Sequence, residues 1–389
     1  MKMLITGGPL FDGIRLHETG SVLFENDRIL DVCQTAGIPD KAQTIIDTSG
    51  DLIMPGLVDL HSDSLERSIE KRKGVFFDIE FAVLNLDRQL AACGITTFCH
   101  AVSFADNELG LRSPKEAEKC LRKIKAFQES GQALIRHHTH IRYEVGSEKS
   151  FDIILNLVAE GLVDMVSIMD HTPGQGQFKS MASYLKFHSE EYDLNSCEIL
   201  EKAKAKQDNN HRAWEMVRIL ARTVSDRGIP MLSHDDDTKG RIDLIKSMGI
   251  KACEFPVTLE AARCAFREGL QIFMGAPNLI RDTSTNGNLK ASDVLKEGLC
   301  TGLVSDYYPE SLFQAAFIAG ERMSDLEQAL HTVTSGPGRF LNTDNRPGFL
   351  APGAGADILI VNRDYRWAHI AGAFIKGRPV FHIQKKSLT

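Results

Sequence analysis

Histidine and carboxylate residues recur along the chain at the ends of short apolar segments. His61 and Asp63 stand two positions apart, a spacing that puts both side chains on the same side of an extended segment. His171, His234 and Asp306 each follow a further apolar run. A single His-x-Asp pair is common in surface loops, but further histidines at equivalent strand ends indicate a shared site. Imidazole and carboxylate donors without thiolates predict a divalent metal site that suits zinc, manganese or iron.

In a further segment, ionisable residues occupy every second position. His138, His140, Arg142 and Glu144 are each two residues apart, so they face one way if the segment is a strand. Ionisable groups on the inner face of a barrel are costly unless they bind something or pair with each other. The alternative is a register shifted by one residue, which would turn this face towards solvent or a helix layer.

The elements that must position these residues alternate between apolar strands and amphipathic helices. Eight strands predict an α/β protein with a closed (β/α)8 barrel of the TIM type over residues 53–345, with all the polar strand ends at one mouth. An open doubly wound sheet would carry a glycine-rich phosphate loop after its first strand, where this chain has His61-Ser62-Asp63. The predicted strands are Leu57–His61, Ile95–Val102, Leu134–Glu144, Val163–Asp170, Pro230–Asp235, Lys251–Phe255, Gln271–Ala276 and Leu303–Asp306.

Both ends of the chain have β-hairpin character. Residues 1–52 and 346–389 contain short alternating runs between Gly, Asn-Asp and Pro turns. Neither end has enough strands to bury a face alone, so we expect the two ends to form one small β-sandwich. Residues 172–228 form a long connection, helical from Tyr184 onward, that we interpret as a lid or an inserted helical pair.

Composition favours a small-molecule substrate. The net charge of -7 is spread along the chain, and no run of Lys and Arg predicts contact with a nucleic acid or a membrane surface. The eight cysteines include no CxxC pair, which favours reduced thiols over a zinc ribbon or a disulfide framework. The N-terminal residues lack a signal-peptide pattern, so we expect a cytoplasmic location. We also expect a homo-oligomer.

Several short segments together resemble one enzyme superfamily. The chain resembles the amidohydrolase superfamily and, within it, the diphosphohydrolases that act on α-D-ribose 1-methylphosphonate 5-triphosphate in the carbon–phosphorus lyase pathway. The resemblance covers residues 52 to 380. The segments that carry it are Met54 to Asp63, Gly94 to Thr97, Asp170 to Phe178, Ser233 to Asp236, Glu254 to Thr258, Met274 to Asn278, Ser305 to Pro309 and Gly353 to Asp357.

The resemblance implies hydrolysis of a phosphorylated sugar between its α and β phosphorus atoms, with release of pyrophosphate. It implies one or two divalent metal ions, with zinc expected and manganese or iron as alternatives. In the binuclear hypothesis, one metal is held by His61, Asp63 and Asp306, the other by His171 and His234, and Glu144 bridges them. Asp306 is the expected catalytic residue. The chain departs from the superfamily pattern in Asp63, where His is usual, and in Glu144, where a carboxylated lysine is usual.

The triphosphate tail needs cationic and amide donors near the metal site. The predicted substrate-binding residues lie in the loops and on the third strand: Arg142, Gln175, Gln177, Lys179, Asn278 and Arg281. A second interpretation is an amide or cyclic-amide hydrolase, such as an N-acetyl sugar deacetylase, because one fold hosts both reactions. A third is a non-catalytic scaffold that has lost its metals.

Overall fold

The structure of the chain is a computed structural model. It describes residues 2–34, 42–106, 110–174, 210–284, 287–364 and 367–382, together with a few single positions between 176 and 204. Gln175, Gln177 and Lys179 lie outside the described residues, as does most of the segment from Tyr184 to residue 209 that was predicted to be helical.

Strands occur at both ends of the chain and at regular intervals between them. In chain order they are β1 Lys2–Phe11, β2 Leu16–Glu25, β3 Arg28–Cys33, β4 Thr44–Asp47, β5 Leu52–Pro55, β6 Leu57–Ser62, β7 Glu70–Arg72, β8 Val75–Phe76, β9 Ile95–Phe104, β10 Arg136–Glu144, β11 Met165–Met169, β12 Met231–His234, β13 Ala252–Glu254, β14 Gln271–Gly275, β15 Gly302–Val304, β16 Ile358–Asn362, β17 His369–Ile375 and β18 Arg378–His382.

Helices follow most of the central strands. They are α1 Ser64–Ile69, α2 Ile79–Ala92, α3 Pro114–Glu129, α4 Glu148–Ala159, α5 Asn210–Ser225, α6 Lys239–Ser247, α7 Leu259–Arg267, α8 Ala276–Arg281, α9 Ala291–Lys296, α10 Glu310–Met323, α11 Leu326–His331 and α12 Ser335–Leu341. Local chemistry sets their limits. The Asp78 side chain accepts the first free N–H groups of α2, and Gly94 takes a left-handed φ of 77° just after its last residue.

The eight central strands form one parallel sheet, which confirms the predicted barrel. Strands β9 to β15 are hydrogen-bonded in chain order, and β6 pairs with β9. The sheet curls until its edges meet at a parallel bridge between Ser62 and Asp306. Apolar side chains such as Leu60, Met165 and Phe273 fill the interior. The helices cover the outside, so polar groups have access to solvent only at the strand ends.

The two chain ends build one unit, as predicted, and hydrogen bonds connect its strands into a single mixed sheet. The order is β18-β17-β16-β5-β1-β2-β3, with β4 paired to β1. The join is antiparallel pairing of β5 with β16. Phe24 and Phe374 pack edge to face across this unit at 5.8 Å between ring centroids. An ion pair between Arg136 and Asp357 connects it to the barrel.

Two properties of the chain as a whole bear on its chemistry. Within the described residues, no helix combines the length and the apolar character that crossing a membrane requires. The cysteines at the described positions are free thiols, and Cys99, Cys120, Cys253, Cys264 and Cys300 are buried.

Candidate metal centre and active site

The polar strand ends meet at the C-terminal mouth of the barrel. All six predicted metal ligands lie there, on or directly after five strands. They are His61 on β6 with Asp63 one residue beyond that strand, Glu144 at the end of β10, His171 after β11, His234 at the end of β12 and Asp306 after β15. Such convergence is expected, because in a parallel barrel the carboxyl ends of all strands surround one opening.

The centre of the mouth is formed by two histidines and a glutamate. The Oε2 atom of Glu254, the last residue of β13, lies 3.1 Å from Nδ1 of His61 and 3.5 Å from Nδ1 of His234. The two imidazoles are stacked at 5.4 Å between centroids. Both nitrogens of His61 and both oxygens of Glu254 are buried without a hydrogen-bond partner. Buried polar atoms normally have hydrogen-bond partners, so these atoms lack an interaction that a bound cation would provide.

His140 completes the group. Its Nδ1 lies 2.9 Å from the carbonyl oxygen of Leu60, which fixes the tautomer with the lone pair on Nε2, 2.8 Å from the Ser167 hydroxyl. One ligand atom from each of His61, His140 and Glu254 lies within 4.8 Å of the others. The donor types, together with the unpartnered atoms of His61 and Glu254, fit a divalent transition metal.

Burial keeps these histidines neutral. It lowers the pKa of His61 well below its ordinary value, and the charge of Arg142 adds to that effect. Burial also lowers the pKa of His140 and of His234 to about 3, although Glu254 opposes the shift in both. A neutral imidazole presents a lone pair to a metal without first losing a proton.

A second pair lies beside this centre. The Nδ1 atom of His171 is 2.7 Å from Oε2 of Glu144, because parallel pairing of β10 with β11 puts Glu144 beside Met169, two residues before His171. Burial raises the pKa of the neighbouring Asp235 to about 6, and the charge of His171 opposes that shift. Glu144 and His171 therefore bind each other in this structure, next to Asp235.

Asp306 is held in place through its backbone. Its N–H donates to the carbonyl of His61 at 2.9 Å, and its own carbonyl accepts the N–H of Asp63 at 2.8 Å. Burial raises the pKa of the Asp306 carboxyl to about 7; Asp63 adds to the shift and Arg142 opposes it. The Oδ1 atom of Asp63 is itself buried without a hydrogen-bond partner.

Three strand ends at the mouth have an unusual backbone. Asp235, Phe255 and Asp306 follow β12, β13 and β15 with φ angles of 59°, 52° and 57°. Left-handed geometry is uncommon for residues other than glycine, and it clusters at functional sites. At Phe255 it brings the ring within 5.3 Å of the His61 ring and 5.0 Å of the His234 ring, centroid to centroid.

The predicted substrate-binding residues have different surroundings. Arg142 lies at the site, since its charge acts on His61, His234 and Asp306. Arg281 is exposed on the rim and donates to the Tyr307 hydroxyl at 3.4 Å. The side-chain amide of Asn278 donates to the carbonyl oxygen of Leu289 and accepts the N–H of Ala291. These bonds anchor the chain after α8.

Two residues of the centre were not in the predicted ligand set. Glu254 was recognised only as part of a sequence motif, and His140 only as a member of the alternating segment. The available signal for Glu254 was its position: it ends the sixth strand as His234 ends the fifth.

Comparison with known proteins gives a relative that aligns over most of the chain. No protein-family model matches the chain. The chain is 33% identical over 347 residues to the alpha-D-ribose 1-methylphosphonate 5-triphosphate diphosphatase of Escherichia coli (strain K12), and the alignment covers 86% of this chain and 90% of the relative.

Solved structures share the fold at low sequence identity. The N-acetyl-D-glucosamine-6-phosphate deacetylase from Mycobacterium smegmatis superposes with a TM-score of 0.65 at 14% identity, covering 97% of this chain and 100% of that chain. The dihydropyrimidinase from Brevibacillus agri NCHU1002 superposes with a TM-score of 0.64 at 13% identity, covering 98% and 95%. At these identities the likeness concerns the fold alone.

Proposed function

Since the chain belongs to the amidohydrolase superfamily and, within it, to the family of the ribose 1-methylphosphonate 5-triphosphate diphosphatase, we propose that it hydrolyses the α–β phosphoanhydride of that triphosphate. The products are pyrophosphate and a ribose 5-phosphate that retains the 1-phosphonate. The observation that carries this proposal is the relative that aligns over 86% of the chain. The group of unsatisfied donors at the barrel mouth supports a metal-dependent reaction.

We assign the metal ligands in two groups. The inner group consists of His61, His140 and Glu254, which each have one donor atom within 4.8 Å of the others, and of His234, whose Nδ1 lies 3.5 Å from Glu254. Donor atoms of His61, His234 and Glu254 lack hydrogen-bond partners. Asp63, Glu144, His171 and Asp306 remain proposed ligands of a site for one or two ions, and zinc is the expected metal. A bound divalent cation supplies neutralisation of phosphoryl charge and makes water a stronger nucleophile.

Asp306 is the proposed proton acceptor for the attacking water. A general base works best when its pKa lies near the working pH, and burial brings the pKa of this carboxyl to about 7. Its backbone bonds to His61 and Asp63 fix its position relative to β6. Arg142 offers a guanidinium to the phosphoryl oxygens, where it compensates charge that develops during the reaction.

The site of bond cleavage tests this proposal. Hydrolysis of ribose 5-triphosphate in ¹⁸O-labelled water should place the label in the sugar 5-phosphate, because the proposed attack is at the α-phosphorus. Mass spectrometry of both products measures this. Label in the pyrophosphate, or orthophosphate as the released product, would contradict the assignment. An Asp306→Asn variant is the matched control for hydrolysis by contaminating phosphatases.

Among the described residues, no specific contact favours amide hydrolysis. The deacetylase and dihydropyrimidinase structures share its fold at 14% and 13% identity, which leaves their substrates without support here. Release of acetate from N-acetylglucosamine 6-phosphate under the same assay conditions tests that alternative. The scaffold interpretation is tested by metal analysis of purified protein. The expected homo-oligomer stays a prediction.

A further inference from the structure

Three side chains from three neighbouring strand ends meet on the rim beside Asp306. Arg67 lies in α1, which follows β6; Tyr307 follows β15; and Arg281 ends α8, which follows β14. The Arg67 guanidinium carbon lies 5.1 Å from the centroid of the Tyr307 ring. Arg281 donates from Nη1 to the Tyr307 hydroxyl oxygen at 3.4 Å. One phenol ring therefore holds two guanidinium groups near each other.

These two arginines are not neutralised by an ion pair among the described residues. Within the described part of the chain, no carboxylate forms an ion pair with Arg67 or Arg281. Two other arginines are neutralised: Arg241, at the same mouth, pairs with Asp170 at 2.9 Å, and Arg263, on the outer helix α7, pairs with Glu297 at 2.5 Å. Two close cations repel each other, so their placement around one ring is favourable when an anion lies between or above them.

We infer that Arg67, Tyr307 and Arg281 form the subsite for the β- and γ-phosphates of the triphosphate, and thus for the pyrophosphate that leaves. This inference rests on the proposed function. Guanidinium groups match phosphate oxygens with paired N–H donors. The Tyr307 hydroxyl accepts from Arg281, so its own proton is available to a phosphate oxygen.

The location of the three rim residues also fits the orientation in which the triphosphate would bind. Asp306 and Tyr307 are adjacent in the chain, and the charge of Arg67 reaches Asp306. An α-phosphoryl group placed at His61 and Asp306 has this rim directly beside it, because β6 and β15 meet where the barrel closes. The terminal phosphates then extend outward to the two arginines, while the sugar occupies another part of the mouth.

The test compares three single variants and one double variant. Arg67→Gln, Arg281→Gln and their combination remove the proposed contacts; Arg263→Gln removes the same charge from the outside of the barrel and is the matched control. Each is assayed with ribose 5-triphosphate at fixed zinc, and inorganic pyrophosphate is titrated as a product inhibitor. Circular dichroism confirms that the variants fold.

Each subsite variant should raise KM for the triphosphate and the inhibition constant of pyrophosphate by about tenfold, since each loses a charge-assisted hydrogen bond. KM should change more than kcat, and Arg263→Gln should match the wild type. Unchanged KM and inhibition constants in the double variant would overturn the subsite and leave the proposed function intact. The subsite would also be overturned if Arg263→Gln raised KM and the inhibition constant by the same factor as the subsite variants. A wild-type protein that releases no pyrophosphate would instead refute the proposed function, and the subsite with it.

Discussion

Replacing Glu254 with Gln separates metal binding from folding. The carboxyl group is fully buried, 3.1 Å from His61 and 3.5 Å from His234, and neither oxygen accepts a hydrogen bond. An isosteric amide therefore removes no native hydrogen bond. We expect the free energy of unfolding of the metal-free protein to change by less than about 1 kcal/mol.

The metal-loaded protein should respond quite differently to the same change. An amide carries no charge and is a weaker ligand than a carboxylate. Even residues that only orient metal ligands change affinity by about 10–100-fold, so a direct ligand should lose at least about 100-fold, or about 2.8 kcal/mol of binding free energy. The zinc-induced gain in stability should fall by a similar amount when free zinc is well above the dissociation constants of both proteins.

Zinc affinity is measured by competition with a chromophoric chelator, metal content by mass spectrometry, and stability by urea unfolding with and without chelator. Glu260→Gln, at an exposed position on α7, is the matched control. The reasoning is refuted if Glu254→Gln binds zinc like the wild type. It is also refuted if the metal-free variant loses more than about 2 kcal/mol, since Glu254 would then be a structural acceptor.

Three further outcomes are expected. Asp306→Asn should retain the fold but reduce kcat by about 10²–10⁴-fold, because an amide accepts no proton at neutral pH; stopped assays of pyrophosphate release measure this. Burial raises the pKa of Asp164, but hydrogen bonds and charges from His138 and Lys125 outweigh that effect and hold the pKa well below its usual range. The stability that this carboxylate contributes is therefore present above the unfolded pKa of about 4 and is lost as the pH falls towards the folded value. Asp164→Asn should flatten the decline of the urea midpoint below about pH 4. Thr258→Ala should cost about 1 kcal/mol in urea unfolding, because the hydroxyl that accepts the N–H of Ala261 caps α7.

The barrel could be predicted because most of its strands are apolar runs that alternate with helix signals; β10, with its alternating ionisable residues, is the exception. The sequence also predicted which strand ends carry histidines and carboxylates. The direction of each side chain was harder to predict, because short strands offer too little alternation. Strand β13 has only three residues, Ala252–Glu254, so its pattern does not show whether Glu254 points inward. Strand β6 contains an irregularity between Asp59 and Ser62, which shifts the alternation just before the His-x-Asp pair.

The rim was predicted only in part: Arg281 was among the predicted substrate-binding residues, but its grouping with Arg67 and Tyr307 was not predicted. Arg67, Tyr307 and Arg281 are far apart in the chain, and they meet only because β14, β15 and β6 become neighbours when the barrel closes. A lone arginine in a six-residue helix carries no local signal of its role. The left-handed backbone at Asp306 was likewise hard to predict, because it depends on backbone hydrogen bonds with His61 and Asp63, at the end of the first barrel strand.

The pairing of β5 with β16 has a consequence for synthesis on the ribosome. About 300 residues separate Pro55 from Ile358, so at about 5–20 residues per second β5 waits roughly 15–60 s for its partner. During that interval an apolar strand edge, Leu52–Pro55, is open to other chains, and such edges promote aggregation. Long-range pairing of this kind also slows folding. Recombinant yield should therefore depend strongly on temperature and on chaperone supply, and truncation after residue 357 should yield insoluble protein.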